Sequence, residues 1–558
     1  MRAATFLAAL LGSWPLVLAG FTADEASRPT PPPATRTEHP VRDEADDGAV
    51  KAGEDQVLLP ALRGLAVGID PHSALRLQSL HSGGIQMEGF SGSIGQAIGR
   101  VATEAIGKPV SLRSLERLGK KFEDAISSAG QPFMLVTFPP QEITSGVIAV
   151  VIRPAHAGQV LLAAKPAFGL QFAANGFRTR PGDLISDDRI LEDLAWLNEN
   201  PLRRAAISYT DGAADGTLDL TLRIKAARQW RVYGGIDNRL SDDLGDERMF
   251  LGAQYGDLFG LDHRITAQYT AALDFKKLQG ISGIYEMPLP NRSLLEISGG
   301  YTESETNSSG PIDQSGKFSR LALGYRMALP RYNSIAQELR AGLEFRDNEY
   351  AFTDGTSQTV RFFDLAAGWH ARRNDRYGST SADLSLTYNP GNGILGSNDE
   401  DYIALGASGA ESLIAKIELE RSQKLGEGVT LFGRLLGQCS DQTLLSSDQL
   451  SAGGINGVRG FDETVAYASS GIVGSLELQS PFQKIPKAGS IQEIAFIDAA
   501  FLNRDQSTDA GQLASVGLGL RWRFSEMFNS RLDLGIPIAR PSDADDGPRL
   551  HFSVGANW

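Results

Sequence analysis

Strict period-two alternation near the C-terminus limits what this chain can fold into more than any other feature. Val516, Leu518, Leu520, Trp522 and Phe524 take every second position, with Gly517, Gly519, Arg521 and Arg523 between them. The last residues repeat the pattern: Leu550, Phe552, Val554, Ala556 and Trp558 alternate with His551, Ser553, Gly555 and Asn557. One apolar and one polar face per strand is what a membrane β-barrel needs, because a bilayer offers no water to unpaired backbone groups and only a closed sheet pairs them all. From Gln229 onward such segments recur between turn residues, near 229–238, 247–257, 262–274, 277–288, 293–303, 316–328, 334–347 and 356–371. Others follow near 379–389, 410–422, 428–439, 471–480, 491–502, 513–525, 530–539 and 548–558. The expectation is an all-β barrel over 228–558 with about 16 antiparallel strands, an even number as in single-chain bacterial barrels.

Composition narrows the class further. A formal charge of −14 and a pI of about 5.1 oppose nonspecific contact with phosphate, so no nucleic-acid partner is expected. Residues 1–23 read as a secretory signal peptide, with one early charge at Arg2, an apolar run from Ala3 to Ala19 and small residues after it. No other stretch reaches the roughly 18 apolar residues of a membrane helix. Cys439 is the single cysteine, which excludes an intramolecular disulfide framework and offers no metal site by itself. Residues 24–56 run through RPTPPPATRTEHP into VRDEADDGAV. Such proline-rich and acidic composition cannot bury a core and reads as a disordered linker.

Two α+β units lie between linker and barrel. In the first, 57–158, the apolar stretch Val57–Ile69 precedes helical patterns at Ile94, Ile98, Val101 and at Leu112, Leu115, Leu118, Phe122, Ile126. Ser111 is placed to cap the second helix and Gly130 to end it. Strands at Pro132–Phe138 and Gly146–Arg153 give the order β-α-α-β-β. The second unit, 159–227, has a strand at Val160–Ala164 and a helix capped by Ser186 that carries Ile190, Leu191, Leu194 and Leu197. Strands at Arg204–Tyr209 and Thr217–Ile224 complete it.

The chemistry-bearing segment is AGGINGVRGF, Ala452–Phe461. With the first strand rising from the periplasm it falls in the sixth outer loop. Gly457 and Gly460 flank Arg459, and freedom at positive φ would let the loop turn back into the barrel. Asp498 shares a strand face with Ile494, Phe496 and Ala500, opposite the more apolar Ala495, Ile497, Ala499 and Phe501. A carboxylate hardly faces lipid, so Asp498 should point inward, where an arginine fork suits it. Other chemistry is thin. GSIGQAIG, Gly92–Gly99, lacks the lysine of a phosphate loop, no nucleophile elbow occurs, and the seven histidines have no metal-binding spacing. No catalytic, cofactor-binding or metal-ligating residue is expected.

Five motifs in order resemble a known family, the haemolysin secretion and activation proteins of two-partner secretion, within the superfamily of POTRA domains fused to a 16-stranded barrel. Val458, Arg459, Gly460 and Phe461 resemble its VRG(Y/F) loop motif, and Phe496, Asp498 and Ala500 its F-x-D-x-G strand motif with alanine in place of glycine. Phe138–Ile152, with Pro140, Gln141 and Gly146, is similar to the close of the first POTRA domain. LNENP, with Leu197, Asn198 and Pro201, is similar to the second, and Gly235–Arg239 to the start of the first barrel strand. The resemblance covers about residues 57–558. It implies a monomeric outer-membrane pore of a Gram-negative bacterium, with POTRA domains in the periplasm and lipid around the barrel. These domains would recognise an unfolded exoprotein through its N-terminal secretion domain, and the barrel would pass it outward without nucleotide. The alternatives are a barrel-assembly insertase of the same superfamily and, further off, a passive porin or a barrel enzyme.

Overall fold

A computed structural model describes residues 41–42 and 56–558, apart from 81–82, 165–171, 173–174, 227, 241–243, 306–313, 333, 353–355, 392–394, 464, 504–510, 526, 543 and 545–546. The expected signal peptide lies outside the described residues, as does the linker except for 41–42 and 56. Contacts divide the chain into two compact units, one centred on Thr35–Ala227 and one on Arg228–Trp558.

The first unit holds two four-stranded sheets. The strand β1 (Val41–Arg42) comes first, followed by β2 (Gly64–Gly68), α1 (Pro71–Leu80), β3 (Gly84–Met87), α2 (Gly92–Ala105), α3 (Leu112–Ser128), β4 (Met134–Thr137) and β5 (Val147–Pro154). Then come β6 (His156–Ala164), α4 (Asp187–Leu197), β7 (Arg203–Asp211) and β8 (Thr217–Ala226). One sheet has the order β3-β2-β5-β4 and the other β1-β7-β8-β6. The α+β POTRA architecture expected here is present.

Four details differ from the sequence reading. The first sheet region contains α1 and β3 as well: α1 buries little beyond Ser73 and Ala74, so it has no apolar stripe to betray it. Its start is local, with Asp70 and Ser73 exchanging hydrogen bonds of 3.3 and 2.9 Å. GSIGQAIG forms the start of α2, so its glycines lie in a helix and not in a loop. The strand opening the second sheet begins at His156, and Val41–Arg42 pairs in parallel with Ser208 and Tyr209, so those two linker residues are structured.

Capping and burial explain the rest. Ser111 accepts from Ser114 N at 3.3 Å, and Ser186 accepts from Arg189 N at 3.4 Å. Phe122, Ile126, Ile148, Val150 and Ile152 fill the first core; Ile190, Leu194, Leu197, Ile207 and Leu220 fill the second. Phe133 and Leu135 cross into that second core, and the Phe133 ring meets Tyr209 edge-on at 5.3 Å.

The barrel strands are β9 (Trp230–Asp237), β10 (Arg248–Leu258), β11 (His263–Ala272), β12 (Leu278–Pro288), β13 (Ser293–Glu305), β14 (Gln314–Tyr332), β15 (Ile335–Phe352) and β16 (Ser357–Asp375). They continue as β17 (Gly378–Pro390), β18 (Glu411–Gly426), β19 (Val429–Ser440), β22 (Ser470–Gln479), β24 (Gly489–Asn503), β25 (Gly511–Arg523), β26 (Phe528–Ala539) and β27 (Arg549–Asn557). The short strand β23 (Gln483–Ile485) prolongs the line of β22, and the pair β20 (Leu450–Ser451) and β21 (Tyr467–Ala468) lies inside one connection. The result is a closed antiparallel barrel of 16 strands, sealed by β27 against β9. Alternation is clear: Leu518, Ile536 and Leu550 are exposed outside, while Ser515, Asp533 and His551 are buried inside. Even-to-odd connections such as 289–292, 376–377 and 427–428 are short, which in outer-membrane barrels marks the periplasmic side.

Removing the ring that joins the two POTRA sheets tests this packing. Phe133→Ala should destabilise a fragment of residues 35–227 by about 3–5 kcal/mol. The check is urea unfolding followed by Trp196, the one tryptophan in that fragment.

Candidate functional site: an arginine loop inside the barrel

The sixth odd-to-even connection, residues 441–469 between β19 and β22, folds into the lumen as a self-bonded hairpin. Ala452 N donates to Ala466 O at 3.0 Å and Val458 N to Ala452 O at 2.7 Å. Glu463 braces the tip by accepting from Ile455 N at 2.9 Å. Two glycines do different work here. Gly460 has φ +97°, whereas Gly457 is not at positive φ, contrary to the sequence expectation. A Cβ on Gly457 would stand 2.4 Å from the carbonyl oxygens of Ala452 and Gly453, so close approach is what requires glycine there.

Val458, Arg459, Gly460 and Phe461 then separate by chemistry. Val458 and Phe461 are buried in an apolar cluster with Ala452, Ala466, Val473, Ala500 and Leu513. The Ala500 methyl belongs to that cluster, where the family motif has glycine. Arg459, 2% exposed, enters a polar nest on the barrel wall. Its Nε donates to Asp498 Oδ2 at 2.7 Å and its Nη2 to Asp498 Oδ1 at 2.8 Å, a two-pronged pairing, and its backbone N adds a bond of 3.1 Å. Nη1 donates to Glu477 at 2.6 Å and Nη2 to Ser475 at 3.0 Å. The guanidinium lies 3.5 Å from the centroid of the Phe496 ring.

Neighbouring strands complete the charge balance. Asp533 stands 3.8 Å from Arg459, 2.7 Å from Arg521 and 2.5 Å from Arg531. Three guanidiniums thus face three carboxylates, Asp498, Glu477 and Asp533, which removes the penalty an isolated buried charge would carry. Gly460 N donates to His551 Nε2 at 3.0 Å, and Arg531 donates to Ile455 O at 3.1 Å. Gly460 also lies against Gly535, where a Cβ would come within 2.4 Å of Gly460 N. The loop is therefore held by side chains from β22, β24, β26 and β27.

Sequence reasoning singled out Arg459 and Asp498 but missed Ser475, Glu477 and the roles of Asp533 and His551. A signal existed on β22: Ile472, Leu476 and Leu478 are exposed to the outside, so parity turns Ser475 and Glu477 inward.

The POTRA motif residues do not join this site. Gln141 brackets Ala149, accepting from its N at 2.6 Å and donating to its O at 2.8 Å. Asn198 brackets Ala205 in the same way, at 2.6 and 3.0 Å. Each carboxamide replaces a rung of its sheet ladder. Gly146 turns at φ +80° before β5, its carbonyl accepting from Arg63 N at 2.8 Å. Leu197 is buried in the second core, Pro201 is exposed in a turn, and Pro140 follows β4 in the connection to β5.

Comparison with known proteins gives a consistent picture. Residues 216–522 match the family described as haemolysin secretion/activation protein ShlB/FhaC/HecB. The outer membrane transporter CdiB-2 of Burkholderia pseudomallei (strain 1026b) is 23% identical over 394 residues, 67% of this chain and 66% of that protein. The heme/hemopexin transporter protein HuxB of Haemophilus influenzae (strain 86-028NP) is 22% identical over 474 residues, 80% of this chain and 82% of that protein. Among solved structures, CdiB from Escherichia coli superposes with a TM-score of 0.65 at 16% identity, covering 96% of this chain and 95% of that one.

The arginine nest makes a sharp test possible. Arg459→Ala and Asp498→Ala should each weaken loop attachment by about 3–5 kcal/mol, because each strands a buried partner. The double mutant should lose much less than the sum. Protease sensitivity of loop 441–469 in inserted protein measures both. Arg459→Lys should behave nearly as badly as alanine, since an ammonium cannot reproduce the two-pronged contact.

Proposed function

Because this chain belongs to the haemolysin secretion/activation protein family, whose members are outer-membrane transporters, we propose that it carries an exoprotein across the outer membrane by two-partner secretion. The observation that carries this reading is the combination of tandem POTRA sheets with a closed barrel whose lumen holds an arginine-anchored loop. A passive porin has no use for periplasmic peptide-binding units. The insertase alternative loses ground because the family match runs from the second POTRA sheet through most of the barrel.

In this reading the unfolded cargo is caught in the periplasm as an added strand. Edge strands β3 and β4 of the first sheet support that mode, since an edge offers backbone groups for pairing and flanking pockets for selectivity. Beside β4 a groove is lined by Glu123, Met134, Leu135, Tyr209 and Leu218. The cargo partner is an exoprotein bearing an N-terminal secretion domain, and the transporter works as a monomer in lipid. No nucleotide is spent; folding outside makes passage directional. The working boundaries are a signal peptide at 1–23, a linker at 24–56, a first POTRA domain at 57–154, a second at 155–227 and a barrel at 228–558. The first junction is drawn before β6 because that strand pairs in the second sheet. Arg459 and Asp498 serve as the closure of the resting pore.

Co-expression with the exoprotein encoded beside this chain, followed by assay of the medium, is the direct experiment. Deleting residues 57–154 should leave an inserted, heat-modifiable barrel and abolish release of the cargo. Full secretion by that variant would remove recognition from the first POTRA domain.

A further inference from the structure

A second arginine cluster lies far from Arg459 around the barrel wall. Arg346 on β15 is 2.7 Å from Asp364 on β16 and 3.1 Å from Glu344 on its own strand. Its guanidinium lies 4.1 Å from the centroid of the buried Phe362 ring. The remaining partner comes from the loop: Asp448 Oδ1 stands 2.9 Å from Arg346 Nη2. Arg346 and Asp364 lie in the outer halves of β15 and β16.

Around it, two loops are bound together. The connection 391–410 carries α5 (Asp399–Ala404), whose Tyr402 ring packs on Phe362 at 5.3 Å and shares a buried cluster with Ala407, Ala410 and Leu445. Ser408 N donates to Thr443 O at 3.0 Å, tying that loop to the stem of the arginine loop. Gln438 donates to the carbonyls of Asp448 and Ser469 at 2.9 and 3.1 Å, gathering the two arms of the stem. At the tip the loop supplies Arg459 to wall carboxylates, with loop Asp462 3.0 Å from the wall's Arg549 beside it. At the stem the wall supplies the arginine and the loop a carboxylate.

We propose that the loop 441–469 is a strap held at two stations, and that Arg346–Asp448, with residues 402–410 packed over it, is a second latch that releases independently of Arg459. It rests on the transporter reading in treating strap release as pore opening. The reason for independence is connectivity. The stem station uses β15, β16, α5 and Gln438 of β19, whereas the tip station uses β22, β24, β26, β27 and Arg434 of β19, which donates to Asn456 O at 2.9 Å; the two share one strand but no side chain. Asp448→Asn is a mild test, because Arg346 keeps both wall carboxylates and the barrel keeps its own pairs.

The experiment uses full-length protein inserted in liposomes, with Cys439→Ser and a single cysteine replacing either Leu445 or Ile455, which are 5% and 3% exposed. A membrane-impermeant maleimide reports on each station. Asp448→Asn should speed labelling at 445 by about tenfold or more and leave 455 shielded, and Arg459→Ala should do the reverse. Both sites should open together only in the double variant. Shielding at 445 in Asp448→Asn, or equal exposure of both sites by either change, would overturn the proposal. Should the cysteine at 445 itself be labelled in the parent, external proteolysis mapped to 391–410, 441–450 and 452–466 makes the same comparison without a probe. Neither measurement needs cargo, so a failed secretion assay with intact latches counts against transport and leaves the latches standing.

Discussion

A buried guanidinium must find carboxylates or leave, and the interior of this barrel is arranged around that constraint. Arg459 is almost wholly removed from water, and its guanidinium makes four hydrogen bonds, to Asp498, Glu477 and Ser475. Asp533 could not sit at 0% exposure without Arg521 and Arg531 beside it. The loop backbone follows from this. Gly460 and Gly535 touch because the loop is drawn down to the wall, and His551 receives the N–H left exposed by that turn. Such a pair adds little net stability over an apolar packing, but it specifies where the loop sits.

The POTRA sheets solve a smaller version of the same problem. β4 ends at Thr137, short of the strand it accompanies, which would leave Ala149 without partners on that side. Gln141 supplies both, and Asn198 does so for Ala205 in the second sheet. These motif residues are therefore architectural, and their spacing records where a strand stops. Beside β4 lie edge backbone and a groove of mixed lining, with Glu123, Asp124, Ser127 and Ser128 next to Met134, Leu135, Tyr209 and Leu218.

Most of the barrel was legible because membrane burial enforces alternation on every strand, so each reads without reference to its neighbours. The failures lie where that pressure is absent. Helix α1 buries too little to show a period, and β3 is a short strand whose only cue was flanking glycine. Gly457 was credited with a turn it does not make, because sequence marks a glycine without telling a positive φ from a close contact.

By itself the sequence determined the strand count, the inward direction of Asp498, the tandem α+β units and the loop that carries Arg459, since periodicity and parity are local properties. Tertiary structure alone decided which carboxylates share that arginine, that His551 holds Gly460, and that Asp448 reaches Arg346. Those contacts join strands and loops that lie from 18 to 102 residues apart in the chain. Their geometry depends on barrel closure and on the depth to which the loop descends, and neither leaves a periodic mark in the amino-acid order.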